Sequence, residues 1–308
     1  MGLIKYKFSK YWRVKEEIKL KENVSCLLIF GNDKLLIPIN NKLILLDIKN
    51  DKILISSIIS DSRKIDLLKI NENEFICSSG DGTIKFVQIT IDFSGFIILK
   101  NTKIHSKEII QAIKLKEDKL FASCSKDLSI KIWECDFKNR NSKELIRNTI
   151  NSSIEVLSIF ELPNGEIIYI SKNERLVFLE LKNGEYFLIE AINGIKNGLH
   201  NSIFLVNNDT ILVGTKRNVF LIDINKRKKI KSFALNYSSN SIRYVDGNIF
   251  LGVKQNIFSC VLFQYIIDKK NGQINLECIG KGRDLCHNIS FIDSLGQKFL
   301  VTCIKEIL

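Results

Sequence analysis

Short apolar runs of five to eight residues, rich in Ile, Val, Phe and Leu, alternate along the chain with polar turns of Asn, Asp, Gly and Lys. This is the pattern of β-strands joined by tight turns, and no stretch carries the spacing of an amphipathic helix. One unit recurs: an apolar strand, a polar turn, then a second apolar strand that often ends on an acid. Leu35-Leu36-Ile37 leads through Asn40-Asn41-Lys42 to Leu43–Asp47, and Phe75-Ile76-Cys77 through Gly80-Asp81-Gly82 to Thr83–Val87. Leu120–Cys124 leads through Ser125-Lys126-Asp127 to Ser129–Glu134, and Ile167–Ile170 through Lys172-Asn173-Glu174 to Leu176–Glu180. Ile211–Thr215 and Ile249–Val253 open two more units, with third strands at Val219–Asp223 and Ile257–Cys260, and Phe299–Cys303 opens a seventh.

Equivalent strands recur every 38 to 50 residues, a period that brackets the ~40–45 residues of a four-stranded propeller blade and excludes the shorter helical repeats. The expected architecture is all-β: a single domain over residues 1–308 forming one seven-bladed β-propeller of four-stranded antiparallel blades. The expected blades span about 24–60, 61–104, 105–150, 152–192, 196–235, 238–280 and 284–308. The last is too short for four strands. Two β-like stretches at the N-terminus, Leu3–Phe8 and Tyr11–Leu20, are the missing ones, so residues 1–20 are expected to pair into the last blade and close the ring. Closure also hides sheet edges that would template aggregation.

The third repeat resembles the WD40 family: His105 falls at the Gly-His histidine, Asp127 at the turn aspartate, and Ile130-Lys131-Ile132-Trp133-Glu134 at the Trp-Asp signature. The second repeat agrees through Asp81-Gly82-Thr83-Ile84-Lys85, although Ser60 replaces its histidine and Val87 its tryptophan. The other repeats keep only the hydrophobic skeleton. The resemblance implies a structural tetrad of His105, Ser123, Asp127 and Trp133, with Ser125 as the alternative to Ser123, and a structural turn at Asp81. It implies that these residues stabilise a blade and perform no catalysis.

Composition narrows the function. Hydrophobic residues at 45% exclude a disordered chain, and no apolar run approaches the ~18 residues of a membrane-spanning helix. The eight cysteines include no C-x-x-C pair, and His105, His200 and His287 lie far apart, so they read as reduced core residues with no metal site. No signal peptide opens the sequence, which points to the cytoplasm, with the nucleus as the alternative. Phosphate-loop, nucleophile-elbow, zinc-protease and dinucleotide motifs are all missing, so the expectation is a non-enzyme without cofactors.

Net charge is +12, but Ile, Lys and Asn are over-represented together and Lys far outnumbers Arg, the mark of a coding sequence drifting toward A and T. Position is therefore more informative than total charge. The turns between second and third strands carry Lys126, Lys172, Lys216, Arg217 and Lys254 in successive repeats, and Arg63 and Lys107 lie on the connections entering blades. On a ring these form a basic arc facing one way, suited to an acidic or phosphorylated protein segment. A second patch, Lys226-Arg227-Lys228-Lys229, belongs to the opposite face. The resulting expectation is a protein-interaction scaffold within a multiprotein complex. The alternatives are a propeller bound to RNA or a ribonucleoprotein, in ribosome assembly or translation, and a substrate receptor of a ubiquitin ligase.

Overall fold

The structure, a computed structural model, describes residues 2–7, 13–19, 26, 28–30, 34–47, 49–50, 52–60, 65–136, 145–173, 175–182, 185–196, 198–235, 239–245, 248–254, 260–270, 273–283, 288–294 and 297–304. The described residues contain no helix. Two N-terminal strands, β1 (Gly2–Lys7) and β2 (Arg13–Lys19), precede six consecutive antiparallel meanders. The first is β3 (Leu28–Phe30), β4 (Lys34–Ile39), β5 (Lys42–Asp47) and β6 (Lys52–Ile58). The second is β7 (Ile65–Lys69), β8 (Glu74–Ser79), β9 (Thr83–Ile89) and β10 (Phe96–Lys103). The third is β11 (Ile109–Lys114), β12 (Leu120–Ser125), β13 (Ser129–Glu134) and β14 (Leu145–Asn151). The fourth is β15 (Val156–Glu161), β16 (Ile167–Ser171), β17 (Arg175–Lys182) and β18 (Glu185–Asn193). The fifth is β19 (Gly198–Asn207), β20 (Thr210–Thr215), β21 (Asn218–Asp223) and β22 (Lys228–Ala234). The sixth is β23 (Ser239–Val245), β24 (Asn248–Lys254), β25 (Cys260–Lys270) and β26 (Gln273–Arg283). The described part of its third strand begins at Cys260, and the earlier residues read into that strand from the sequence, 257–259, lie outside the described residues.

A further sheet has the order β2-β1-β28-β27, where β27 is Asn288–Ser294 and β28 is Gln297–Ile304. β1 pairs with β28 from Gly2↔Ile304 to Lys7↔Phe299, so strands from both ends of the sequence share this sheet. The first strands of successive sheets touch in order: β3 with β7, β7 with β11, β11 with β15, β15 with β19, β19 with β23, β23 with β27 and β27 with β3.

Packing explains why the second and third strands are nearly continuous apolar runs rather than alternating ones. β4, β8, β12, β16 and β20 are buried on both faces, because each sheet is covered by a neighbour on either side. Phe121 and Trp133 of the third sheet pack with Ile76, Ile84 and Phe86 of the second. Ala122, Cys124 and Ile132, on the other face, pack with Ile159, Tyr169 and Val177 of the fourth. The same division recurs between first and second sheets and between fourth and fifth. The fourth strands are largely exposed edges.

All seven outer strands carry one extra residue opposite their partner: Lys15, Leu54, Leu99, Arg147, Ile189, Ile230 and Ile279. Such a bulge bends the edge and interrupts its row of free amides and carbonyls, a recognised protection against edge-to-edge association.

Neighbouring sheets are also tied through backbone. The turn between second and third strands presents a carbonyl to the chain entering the next sheet: Asn41 to the amides of Ile59 and Ser60, Gly82 to those of Ile104 and His105, Leu128 to Ser152, and Arg217 to Leu235. Gly82 has φ +86°, and a Cβ there would lie 2.1 Å from the His105 carbonyl oxygen, so only glycine fits this approach.

Candidate functional site

Ser123 lies within β12 and Trp133 on the paired strand β13, while His105 precedes β11 and Asp127 occupies the β12–β13 turn. The meander brings these four together from 28 residues of sequence separation at most. Trp133 Nε1 donates to Ser123 Oγ at 3.1 Å, Ser123 Oγ lies 2.8 Å from His105 Nε2, and His105 Nδ1 lies 2.9 Å from Asp127 Oδ2. Asp127 also accepts from the Ser106 amide at 3.0 Å, the Ser129 amide at 3.1 Å and the Ser129 hydroxyl at 2.6 Å. Ser125, the alternative to Ser123, instead donates to the Lys107 carbonyl and accepts from the Asp127 amide.

The carboxylate fixes the direction of every proton. Burial would raise the Asp127 carboxyl, but hydrogen bonds from Ser129, the adjacent imidazole and the Ser106 amide outweigh it and hold it at about 2. Burial lowers the His105 imidazole below its ordinary value, against the pull of Asp127 in the other direction. At neutral pH the pair is therefore a carboxylate beside a neutral imidazole whose Nδ1–H donates to Asp127. His105 Nε2 must then accept from the Ser123 hydroxyl, whose oxygen accepts the indole N–H. The Ser129 hydroxyl, which donates to Asp127, also lies 3.2 Å from His105 Nδ1.

Ser–His–Asp contacts of this length also describe an acyl-transfer triad. Here the serine is fully buried and the indole N–H occupies the lone pair that a nucleophile would need, while Trp133 itself is 0% exposed and stacks on Phe121 at 4.7 Å. No substrate carbonyl can approach. In the second sheet Ser60 and Val87 are buried at the positions of the missing histidine and tryptophan. Asp81 organises only its own turn, accepting from the Ser79 hydroxyl, the Thr83 amide at 2.9 Å and the Thr83 hydroxyl at 2.7 Å.

The basic residues divide into engaged and free. Lys126 and Lys172 occupy equivalent turns, and each donates its amide to the carbonyl of a glutamate preceding the first strand of its sheet. Each also ion-pairs with that glutamate's carboxylate: Lys126 with Glu108 at 2.7 Å and Lys172 with Glu155 at 2.8 Å. Their charge is locally neutralised. Lys107, Lys216 and Arg217 are exposed and have no acidic partner among the described residues. Arg63 lies outside the described residues, as does the side chain of Lys254.

In the run after β21, Arg227 is half-buried, pairs with Glu166 at 2.7 Å and Glu190 at 4.0 Å, and lies over the Phe178 ring. Lys229 donates to the Asn193 carbonyl at 2.7 Å. Both bridge from the fifth sheet to the fourth. Lys226 is 78% exposed, its ammonium 3.8 Å from Asp223, and Lys228 is exposed. The four consecutive cations therefore include an inter-sheet clamp.

No protein-family model matches the sequence, and no curated protein matches it either. Among solved structures, the crystal structure of the WD40 protein Sqt1 from Saccharomyces cerevisiae is similar, with a TM-score of 0.67 over 96% of this chain and 88% of Sqt1. The fold is of the β-propeller type. At 14% identity the likeness speaks to fold alone.

Within this propeller the charge is sharply divided between neighbouring sheets. Residues 196–235 hold eight cations against Asp209 and Asp223, a balance of +6, half of the whole chain's +12. Residues 152–192 hold Lys172, Arg175 and Lys182 against seven glutamates, a balance of −4. Uniform coding drift toward lysine does not produce that contrast, because cations and acids are both unevenly placed and contribute to it equally.

Several contributors are not apparent in the WD40 resemblance alone. Ser129 is one, although its spacing from Asp127 repeats in Asp81-Gly82-Thr83 and was a usable signal. Glu108, Glu155 and Glu166 are others, and their partners lie too far along the chain for any local pattern to reveal. Among the described residues no group of three or more His, Cys, Asp or Glu could hold a metal ion. Burial pushes the Cys77 thiol up to about 12 and the Cys124 thiol higher still, leaving both unreactive.

Proposed function

We propose that the chain is a seven-bladed, non-catalytic propeller, closed by its N-terminal strands, that serves as an interaction scaffold for an acidic or phosphorylated segment of a partner protein. The cyclic order of contacts among the first strands and the pairing of β1 with β28 support the closed ring. The burial of the His105–Ser123–Asp127–Trp133 network supports a structural role for it. The observation that carries the binding role is the fifth sheet. It combines a charge balance of +6 with two adjacent exposed cations, Lys216 and Arg217, on a turn beside the entry to the next sheet. Charge-assisted contacts from arginine and lysine to carboxylate or phosphate are the strong class of surface hydrogen bond. In this reading Lys126 and Lys172 frame the surface and Lys216 with Arg217 grip the ligand. A cytoplasmic location fits the reading.

The test is affinity purification of the tagged full chain, with and without nuclease, in parallel with a Lys216→Glu, Arg217→Glu variant. We expect protein partners that survive nuclease and leave with the double reversal, at an unchanged melting temperature. Partners lost to nuclease alone would move the protein to a ribonucleoprotein. Partners fully retained by the double variant would remove the fifth sheet from the binding surface.

A further inference from the structure

The outer strands differ in how their edges are guarded. Six of the seven carry Lys or Arg: β2 has Arg13, Lys15 and Lys19, β6 Lys52, β10 Lys100 and Lys103, β14 Arg147, β22 Lys228, Lys229 and Lys231, and β26 Lys281 and Arg283. Cations on an edge are a standard deterrent to strand addition. β18, with the sequence Glu-Tyr-Phe-Leu-Ile-Glu-Ala-Ile-Asn, has none. It instead exposes Phe187 at 48% and Leu188 at 63%, and Leu181 on the paired strand is exposed at 46%. This apolar stretch is bracketed by Glu185 and Glu190, within the −4 repeat of a chain whose net charge is +12.

We propose that the outer edge of the fourth sheet is a second docking surface, of opposite chemistry to the fifth-sheet turn, that receives an extended apolar segment of a partner protein flanked by lysine or arginine. Strand addition supplies main-chain hydrogen bonds, and alternate side chains supply selectivity. The bulge at Ile189 interrupts the ladder, so pairing is confined to Glu185–Leu188. Phe187 and Leu188 give the apolar contact, and Glu185 and Glu190 select for cations on either side. Glu190 keeps only a 4.0 Å contact with Arg227, so its carboxylate retains capacity for a second cation.

The charge pattern also argues against a second copy of the chain as the occupant. Antiparallel self-pairing over Glu185–Leu188 would bring the acidic repeat of one copy, with its balance of −4, against that of another and supply no cation to Glu185 or Glu190, and like charges across a strand pair repel.

The test uses the full chain as bait for a random-peptide phage library, with a Leu188→Lys variant as counter-selection. Because Leu188 is largely exposed, the substitution should fold, and an unchanged melting temperature would show it. We expect enriched peptides with alternating apolar residues and flanking Lys or Arg. Their affinity should fall at least about tenfold, or about 1.4 kcal/mol, in Leu188→Lys. It should also fall in Glu185→Lys and on N-methylation of the peptide backbone, while Lys216→Glu with Arg217→Glu leaves it unchanged. The proposal is overturned if no such peptides emerge, or if they bind Leu188→Lys equally well. Acidic peptides lost only in the Lys216/Arg217 variant would support the fifth-sheet surface and count against this one. A dimer dissolved by Leu188→Lys, seen by light scattering, would replace the basic partner with self-association.

Discussion

Replacing Asp127 with Ala removes the acceptor on which the proton directions of the third sheet depend. The carboxyl sits at about 2 in the fold against an ordinary 3.8, and its side chain is only 10% exposed. That difference corresponds to about 2 kcal/mol of stability at neutral pH. Alanine also leaves the His105 Nδ1–H with only the longer, 3.2 Å contact to the Ser129 hydroxyl in a fully buried setting, which adds roughly 1–2 kcal/mol, whereas the exposed Ser106 amide recovers water. The expected loss is about 3–4 kcal/mol. Trp133 is the natural reporter in urea unfolding, because its indole is buried against Phe121 and hydrogen-bonded within the network. The pH dependence has a definite sign: a carboxyl held down in the fold stabilises above its unfolded value and loses that contribution as pH falls toward the folded one. The gap between wild type and Asp127→Asn should therefore narrow between pH of about 4 and about 2. An Asp127→Ala protein that unfolds at the wild-type urea concentration, or a gap that is constant with pH, would refute the assignment of the carboxylate as the network's charged acceptor.

Gly82→Ala places a methyl 2.1 Å from the His105 carbonyl at φ +86°, and the combined clash and left-handed strain should cost about 3 kcal/mol or more, read by the same unfolding assay. Arg227→Ala leaves Glu166 nearly buried without its counter-charge and should cost about 2–3 kcal/mol. Lys226→Ala, one residue earlier, should change stability by less than about 0.5 kcal/mol. Equal effects of these two substitutions in thermal denaturation would remove the clamp between fourth and fifth sheets.

The repeat was legible because each sheet is packed on both faces, so its central strands are apolar at most positions, and runs such as Ile167–Ile170 stand out against their turns. The His105–Asp127–Trp133 spacing was legible because one meander brings its members together. What escaped depends on contacts between sheets. Nothing near Arg227 in sequence announces Glu166 or Phe178, and a run of four cations reads as a uniform patch until Arg227 and Lys229 are found reaching across to the neighbouring sheet. Lys126 and Lys172 likewise read as free until the strand register sets Glu108 and Glu155 beside them.

The pairing of β1 with β28 sets a schedule for synthesis. Gly2 meets Ile304, so β1 leaves the ribosome well before the strand it pairs with. At ~5–20 residues per second, about 300 residues of translation separate the two by roughly 15–60 seconds. During that interval the six intervening meanders can each form from local chain, while β1 and β2 have no completed sheet to join. The order of events leaves β1 and β2 without their sheet until β28 is made, and makes their capture the step that completes that sheet.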